Sequence, residues 1–276
     1  MTGKLVLVAT PLGNMADLQP RAVAVLASAD VIACEDTRMT GKLLQLAGVG
    51  SRPLIAVHEH NEASMVDPIL ERLRRGETVA LVTDAGLPGI SDPGERLVRA
   101  AADAGFTVSV VPGPSAAVAA LVISGLPTGR FVFEGFLPRK GGERAARLAD
   151  IAASSRTVVL YEAPHRIRAT LADLARVCGG ARRVVLVREL TKLHEEVWRG
   201  TLETATALAA DPRGEYVVVL EGAPEAPPVT DEDIETTLAG WFAGGADRRT
   251  AVAEVAASMD VPKRRVYEAA LRLRPI

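Results

Sequence analysis

Three short polar clusters, each directly after an apolar run, hold most of the side chains able to do chemistry. Cys34-Glu35-Asp36-Thr37-Arg38 follows the run 31–34, and His58-Glu59-His60-Asn61-Glu62 follows 54–57. Tyr161-Glu162-Ala163-Pro164-His165-Arg166 closes a third run. In the first cluster, Glu35 and Asp36 could accept a proton or orient a hydroxyl, and Arg38 could clamp a phosphate. The plainer alternative is a helix N-cap with a surface ion pair. The second cluster offers two histidines and two acids. Its histidines stand only two apart with no third ligand nearby and no HExxH, so substrate binding or proton handling is expected before metal. His165 and Arg166, at a helix N-terminus with free side chains, suit phosphate or base contact; a helix-opening turn with a solvated Arg166 fits equally. Arg188 to Glu195, which includes Lys192, alternates polar and apolar residues and also fits a wet edge strand.

Two Gly/Pro-rich segments complete the set. Thr83-Asp84-Ala85-Gly86-Leu87-Pro88-Gly89-Ile90-Ser91-Asp92-Pro93-Gly94 follows the run 78–82, and Pro112-Gly113-Pro114-Ser115-Ala116 follows 107–111. Such loops present fixed backbone groups that grip a small cofactor and are expected to leave acid–base work to other loops. A nicotinamide or flavin site is disfavoured, because Thr10-Pro11-Leu12-Gly13-Asn14 has one glycine where the dinucleotide fingerprint needs three. No GxxxxGK[ST] segment occurs.

The elements that must position these loops alternate. Strands are expected at 5–9, 31–34, 54–57, 79–82 and 107–111, with helices at 21–28, 40–47, 63–75 and 95–104. That order predicts an α/β fold with a parallel or mixed sheet covered on both sides. Beyond Pro112–Pro114 the pattern changes: a helix 115–124 capped by Ser115, strands at 130–136, 157–161, 183–187, 196–200 and 216–221, and helices at 143–153 and 166–178. Pro224 to Pro228 reads as a Pro-rich linker, and two helices, 250–259 and 262–273, form a small appendix. The expected divisions are therefore 1–112, 113–225 and 226–276.

At 276 residues, with a net charge of −2, 48% apolar and 24% charged residues, the chain has an ordinary globular composition. Any nucleic-acid partner must be met by local basic patches. Two are present: Arg139, Lys140, Arg144 and Arg147 around Glu143, and Lys263, Arg264, Arg265, Arg272 and Arg274 around Glu268. On the last helix Val266, Ala269, Ala270 and Leu273 form the apolar stripe, leaving Arg264, Arg265 and Arg272 outward. Cys34 and Cys178 lack metal-type spacing, and no apolar run is long enough to span a bilayer, so a cytoplasmic protein with reduced, buried thiols and no membrane partner is expected.

Taken together, these motifs resemble one family. Ala9 to Asn14, Glu35 to Arg38, His58 to Glu62, Thr83 to Gly94, Val111 to Ala116, Ser124 to Thr128, Phe133 to Pro138 and Tyr161 to Arg166 are similar, in order, to the motifs of the ribosomal RNA small subunit methyltransferase I family. That family sits in the tetrapyrrole methylase superfamily, and the resemblance covers about Lys4 to Gly222 and, more weakly, the C-terminal helices. It implies two α/β domains with S-adenosylmethionine (SAM) in the cleft between them, a homodimer, and 2′-O-methylation of a decoding-centre cytidine in 16S rRNA of the small subunit. The implied SAM contacts are Thr10, Pro11, Leu12, Gly13, Asp84 to Pro88, Gly113, Ser115, Ala116 and Tyr161. For that reaction the residue chemistry makes Glu35, Asp36 or Glu59 the expected base, with Arg38, His58, Asn61, Arg139, Lys140, His165, Arg166, Lys192, Arg264 and Arg265 expected to hold RNA. The superfamily's GxGPGD-like first loop is replaced by Thr10 to Asn14, and its Gly-Asp-Pro loop by Thr83-Asp84-Ala85, which argues against a tetrapyrrole substrate. A methyltransferase for a tetrapyrrole or a modified protein residue, and a non-catalytic SAM- or RNA-binding module, are the competing readings.

Overall fold

The computed structural model describes residues 3–208, 212–224 and 229–273. Residues 225–228 of the expected linker, and Arg274 of the basic tail, lie outside the described residues. The chain forms two compact units, Met1–Ala223 and Pro224–Ile276.

In the first unit, β1 (Lys4–Val8), α1 (Pro20–Ser28), β2 (Val31–Cys34), α2 (Thr37–Leu46), β3 (Leu54–Ala56), α3 (Glu62–Arg74), β4 (Thr78–Val82), α4 (Glu95–Asp103) and β5 (Thr107–Val111) build one sheet and its helices. The strand order is β3-β2-β4-β1-β5 and every pairing is parallel. The inner strands are continuous aliphatic runs because both faces are covered. Ala22 and Leu26 of α1 and Leu44 of α2 pack against Val6, Val8 and Val82 on one face. Ile69 and Leu73 of α3 and Leu97 and Ala101 of α4 pack against Leu5, Val79 and Leu81 on the other. Neighbouring strands β1 and β4 therefore send their following helices to opposite faces, and a crevice opens between their C-terminal ends.

The second sheet follows α5 (Ala116–Ser124): β6 (Phe131–Phe136), α6 (Gly142–Ala153), β7 (Thr157–Glu162), α7 (Pro164–Cys178), β8 (Arg183–Arg188), β9 (Glu196–Thr201), α8 (Leu202–Leu208) and β10 (Tyr216–Leu220). Its order is β6-β7-β10-β8-β9, with β6 and β7 parallel and the other pairs antiparallel. Helix α5 covers one face, through Ala117, Ala120 and Leu121 against Val159, Val185 and Val219. Ile151 of α6 and Ile167, Leu171 and Leu174 of α7 cover the other. A bulge between Phe133 and Gly135 in β6 leaves Glu134 without a cross-strand partner. It re-aims Phe136, whose ring meets Tyr161 edge-on at 5.7 Å.

The second unit holds α9 (Asp231–Ala243), α10 (Arg248–Ser258) and α11 (Lys263–Arg272). Sequence reading anticipates α10 and α11 but not α9, nor α8 in the first unit. The start of α9 is a capping box whose third residue is the short acid Asp233, bonded to Thr230 at both its side chain and its backbone. Within α9, Thr236, Thr237 and Gly240 around Leu238 blunt the helical pattern. Ile234 and Leu238, one turn apart, are its buried stripe.

One buried acid has a structural task that sequence reading does not anticipate. Helix α4 begins at Gly94, φ 138°, which has no side chain to cap the free N–H groups of the first turn. Glu62 does so from α3, its Oε1 accepting from the N–H of Gly94 at 3.0 Å, Arg96 at 2.9 Å and Leu97 at 3.3 Å. Glu62→Ala strands three donors, those of Gly94 and Leu97 buried, and is expected to cost about 2 kcal/mol, or roughly 4–8 °C in Tm, by thermal melting. A melt unchanged from the parent would show that α4 does not depend on this cap.

Candidate active-site cleft

The C-terminal edge of the first sheet faces the edge of the second sheet formed by the ends of β6, β7 and β8 and the start of β10. Between them lies a cleft of about 560 Å³. Its floor is made by two loops that extend the central strands. Thr10 N–H donates to the Gly86 carbonyl at 2.8 Å, and Gly86 N–H returns to Thr10 at 3.1 Å. The buried Thr10 hydroxyl adds a bond to the Thr83 carbonyl at 3.1 Å. Gly86 has φ 84°, a left-handed conformation that glycine reaches without penalty. Gly113 must also lack a side chain, since a Cβ there would stand 2.6 Å from Cβ of Ala9.

Of the residues expected to hold a cofactor, Leu12, Asp84 to Leu87, Ser115, Ala116 and Tyr161 line the cleft. Thr10, Pro11 and Pro88 are buried behind it as supports. Gly13 packs beneath the stem of Lys192, where a Cβ would lie 2.3 Å from Cγ. Ser115 occupies the N-cap of α5 but forms no side-chain cap. The cap comes from across the cleft, where the Tyr161 hydroxyl accepts from Ala117 N–H at 3.1 Å. Tyr161 thus ties the second sheet to the helix that follows the Gly113 loop.

The three acids expected to handle protons separate. Glu35 lines the cleft. Asp36 caps α2 instead, accepting from Arg38 N–H at 2.8 Å and pairing with its guanidinium at 2.7 Å. That pairing holds its carboxyl down at about 2. Glu59 is exposed and off the cleft wall. Sequence reading also assigns the Gly/Pro loop to gripping alone, and here the structure corrects it. Asp84 and Asp92 of that loop share the wall with Glu35. Burial, then the charge of Asp84, raises the Glu35 carboxyl; burial, then the charge of Asp36, raises Asp84. Asp92 goes furthest, pushed up to about 7 by burial and by the charge of Glu35. Its signal in the sequence was faint, an aspartate between Ser91 and Pro93 with no basic neighbour.

The residues expected to meet RNA also divide. Arg38, Arg139 and Lys140 are exposed, and His165 is exposed on the cleft wall. Asn61 folds its own loop, accepting from His58 N–H at 2.8 Å and donating to the Ala56 carbonyl at 3.0 Å, and the half-buried His58 acts electrostatically on Glu35. No cluster able to hold a metal occurs among the described residues, His58 and His60 included. Arg166 is not free: it pairs at 3.1 Å with the fully buried carboxylate of Glu162, which also accepts from Thr170 at 2.6 Å. Arg144 continues this network to Thr170 and Asp173, and Arg147 pairs with Glu134. Lys192 lies on the wall with Nζ between Glu189 at 3.0 Å and Glu215 at 2.8 Å. In the second unit Arg265 and Arg272 pair with Asp231, and Arg272 also with Glu235. Arg264 remains 90% exposed, paired one turn along with Glu268.

A carboxyl whose folded pKa lies above its unfolded value of 3.8 binds its proton more tightly when folded. Its contribution to stability is therefore full at low pH and is lost as pH rises through about 7. Asp92→Asn removes that titration. The variant is expected to melt higher than the parent at pH 8, with the gap closing as pH falls from about 7 toward 4. Melts that track each other across this range would mean that Asp92 is not held protonated by the fold.

The sequence model of the family described as Tetrapyrrole (Corrin/Porphyrin) Methylases matches residues 4–206. The chain is 46% identical over 275 residues to a ribosomal RNA small subunit methyltransferase I of Synechocystis sp., covering 98% of both chains. It is 52% identical over 225 residues to the Xylella fastidiosa protein of the same name, covering 80% of this chain and 82% of that one. Among solved structures, uroporphyrin-III C-methyltransferase from Thermus thermophilus complexed with S-adenyl homocysteine superposes with a TM-score of 0.57 at 21% identity, covering 80% of this chain and 97% of the other.

Proposed function

Since the chain belongs to the ribosomal RNA small subunit methyltransferase I group of the tetrapyrrole methylase family, we propose that it moves a methyl group from SAM to the 2′-hydroxyl of a decoding-centre cytidine in 16S rRNA. The observation that carries this reading is the cleft itself, a hollow with apolar wall residues whose floor is backbone and whose charged groups are mainly carboxyls. Leu87, Leu190 and Val217 offer an apolar wall to a nucleoside. The carboxylate of Asp84 on that wall is the right chemistry for a cationic ligand. SAM fits both features, and a structurally similar methyltransferase carries S-adenyl homocysteine. Leu12, Asp84 to Leu87, Ser115, Ala116 and Tyr161 would hold it.

Bound there, SAM supplies an activated methyl group with its own leaving group. The protein's share is then placement and proton removal. The Thr10–Gly86 bridge and the Tyr161–Ala117 bond fix the walls in advance. A wall carboxylate takes the hydroxyl proton, which a ribose oxygen must lose to become a stable ether. Exposed Arg38, Arg139 and Lys140 contact RNA phosphates, and His165 stands at the cleft as a base or phosphate contact. The protein would work in the cytoplasm, where its ribosomal substrate is made. A homodimer would cover Val118 and Val122, exposed apolar residues of α5.

Incubation with methyl-labelled SAM and intact small subunits, free rRNA or a tetrapyrrole tests the reading. Label is expected in RNA, in a cytidine-containing dinucleotide that resists alkali because its 2′-oxygen is blocked. Label on a base or on the tetrapyrrole would overturn it. Arg139→Ala with Lys140→Ala should weaken subunit binding about 3–10-fold at moderate salt while leaving SAM affinity unchanged. Equal subunit binding by titration would remove that surface from the RNA path.

A further inference from the structure

The carboxyl groups around the cleft differ in what already binds them. Glu162 is saturated: Oε1 accepts from Ala163 N–H at 2.9 Å and from Arg166 at 3.1 Å, and Oε2 from the Thr170 hydroxyl at 2.6 Å. Glu215 holds Lys192 at 2.8 Å. Asp84 accepts from Asp36 N–H at 3.3 Å, and Glu35 is bonded by the backbone of Asp84. Among the described residues, Asp92 is the wall carboxylate with neither a cation nor a backbone N–H on it; the donor beside it is the Thr83 hydroxyl. The loop is built to keep it so. Pro93, next in the chain, has no N–H to offer and is buried. Ser91, just before, is held at φ 61°, a conformation rare for a residue with a side chain.

We propose that Asp92, on the cleft wall with no cation paired to it, is the catalytic base, and that Glu35 and Asp84, on the same wall, are positioning residues that act through it. The proposal rests on the ribose-methylation reading above. The ribose 2′-oxygen forms its bond to the methyl carbon as the sulfur–methyl bond breaks, and the bonding pair stays on sulfur. The hydroxyl proton passes to a carboxylate oxygen of Asp92 and leaves from there to water. A base works best with a pKa near the working pH, and Asp92 sits at about 7. The charged groups facing it point the same way. Glu35 after β2, Asp84 on the same loop and Glu215 before β10 all oppose its ionisation. Lys192, after β8, has its Nζ occupied by Glu189 and Glu215. His165 of α7, Tyr161 and Glu162 of β7 and Tyr216 of β10 complete the titratable groups on the facing edge.

The test uses the full chain with intact small subunits, comparing the parent with Asp92→Asn, Asp92→Glu and Glu35→Gln. Methyl transfer is timed in a single turnover from pH 5.5 to 9, and SAM binding is read by calorimetry. The parent rate should fall on the acid side with a midpoint near 7. Asp92→Asn should lose about 10²–10⁴-fold in rate while SAM binds within about threefold of the parent, and Asp92→Glu should recover part of that loss. Glu35→Gln should bind SAM and shift the acid limb to lower pH, which a merely structural residue would not do. An Asp92→Asn rate within about threefold of the parent, with the acid limb unmoved, overturns the role. So does loss of SAM binding in Asp92→Asn, which would make it a cofactor contact. Failure of the parent itself to bind SAM would instead overturn the reading beneath the proposal.

Discussion

The pair of backbone hydrogen bonds between Thr10 and Gly86 is the constraint on which the cleft depends. It joins the loops beyond β1 and β4 by an isolated antiparallel bridge, where the parallel pairing of those strands has ended and their helices diverge to opposite faces. Without it, two loops rich in Gly and Pro would be separate flexible covers over an open sheet edge. With it they form a floor, and the residues they carry inherit the rigidity of the sheet. Thr10 is buried because its hydroxyl serves that floor, and Gly86 is glycine because the returning bond needs φ 84°. The second sheet meets this floor at Lys192, whose stem lies on Gly13, while its own Tyr161 caps α5 at the cleft.

Charge in this molecule is arranged by occupation more than by sign. Most of the arginines that a sequence would offer to a polyanion are already engaged. Arg166 neutralises Glu162 under the cleft wall, Arg144 and Arg147 tie α6 to α7 and to β6, and Arg265 and Arg272 hold α11 to α9 through Asp231. The last pairing matters because the helices of that unit share a core of small side chains, Ala251, Ala256, Ala269 and Ala270 among them. Small residues bury little area, so cross-helix ion pairs help fix which faces meet. Arg139 and Lys140 are left exposed on the connection between β6 and α6.

The α/β order was legible because period and punctuation agree there. Apolar runs of four or five residues, ended by Gly- or Pro-containing loops or by a polar cluster, marked all five strands of the first sheet, and the loop contributions of Leu12, Glu35, Asp84 and Ser115 followed from strand ends. What stayed hidden depended on partners distant in the chain. Glu62 reads as one more acid in a polar cluster, and only the fold brings the bare N-terminus of α4 to it. Arg166 reads as a free cation because Glu162, four residues earlier, is the end of a strand whose side-chain direction no spacing reveals. Helix α9 was missed since Ile234 and Leu238 give its stripe too few members. Asp36 shows the opposite case: the plain capping alternative, available from its position before a helix, is what the structure contains.

The Gly/Pro loop after β4 shows why local composition misjudges reactivity. A loop of glycine and proline has few N–H groups in reach of its own side chains, since Pro88 and Pro93 lack them and Gly86, Gly89 and Gly94 turn the backbone through left-handed conformations. A carboxylate placed in such a loop is starved of the donors that normally stabilise it. In most positions that shortage would be met by water or by a neighbouring arginine. Here partial burial comes first, the facing groups are Glu35, Asp84 and Glu215, and only the Thr83 hydroxyl offsets them, so the carboxyl of Asp92 is pushed up to about 7. The same absence of donors that makes the segment look chemically inert is what raises the one acid within it toward the range where proton transfer is useful.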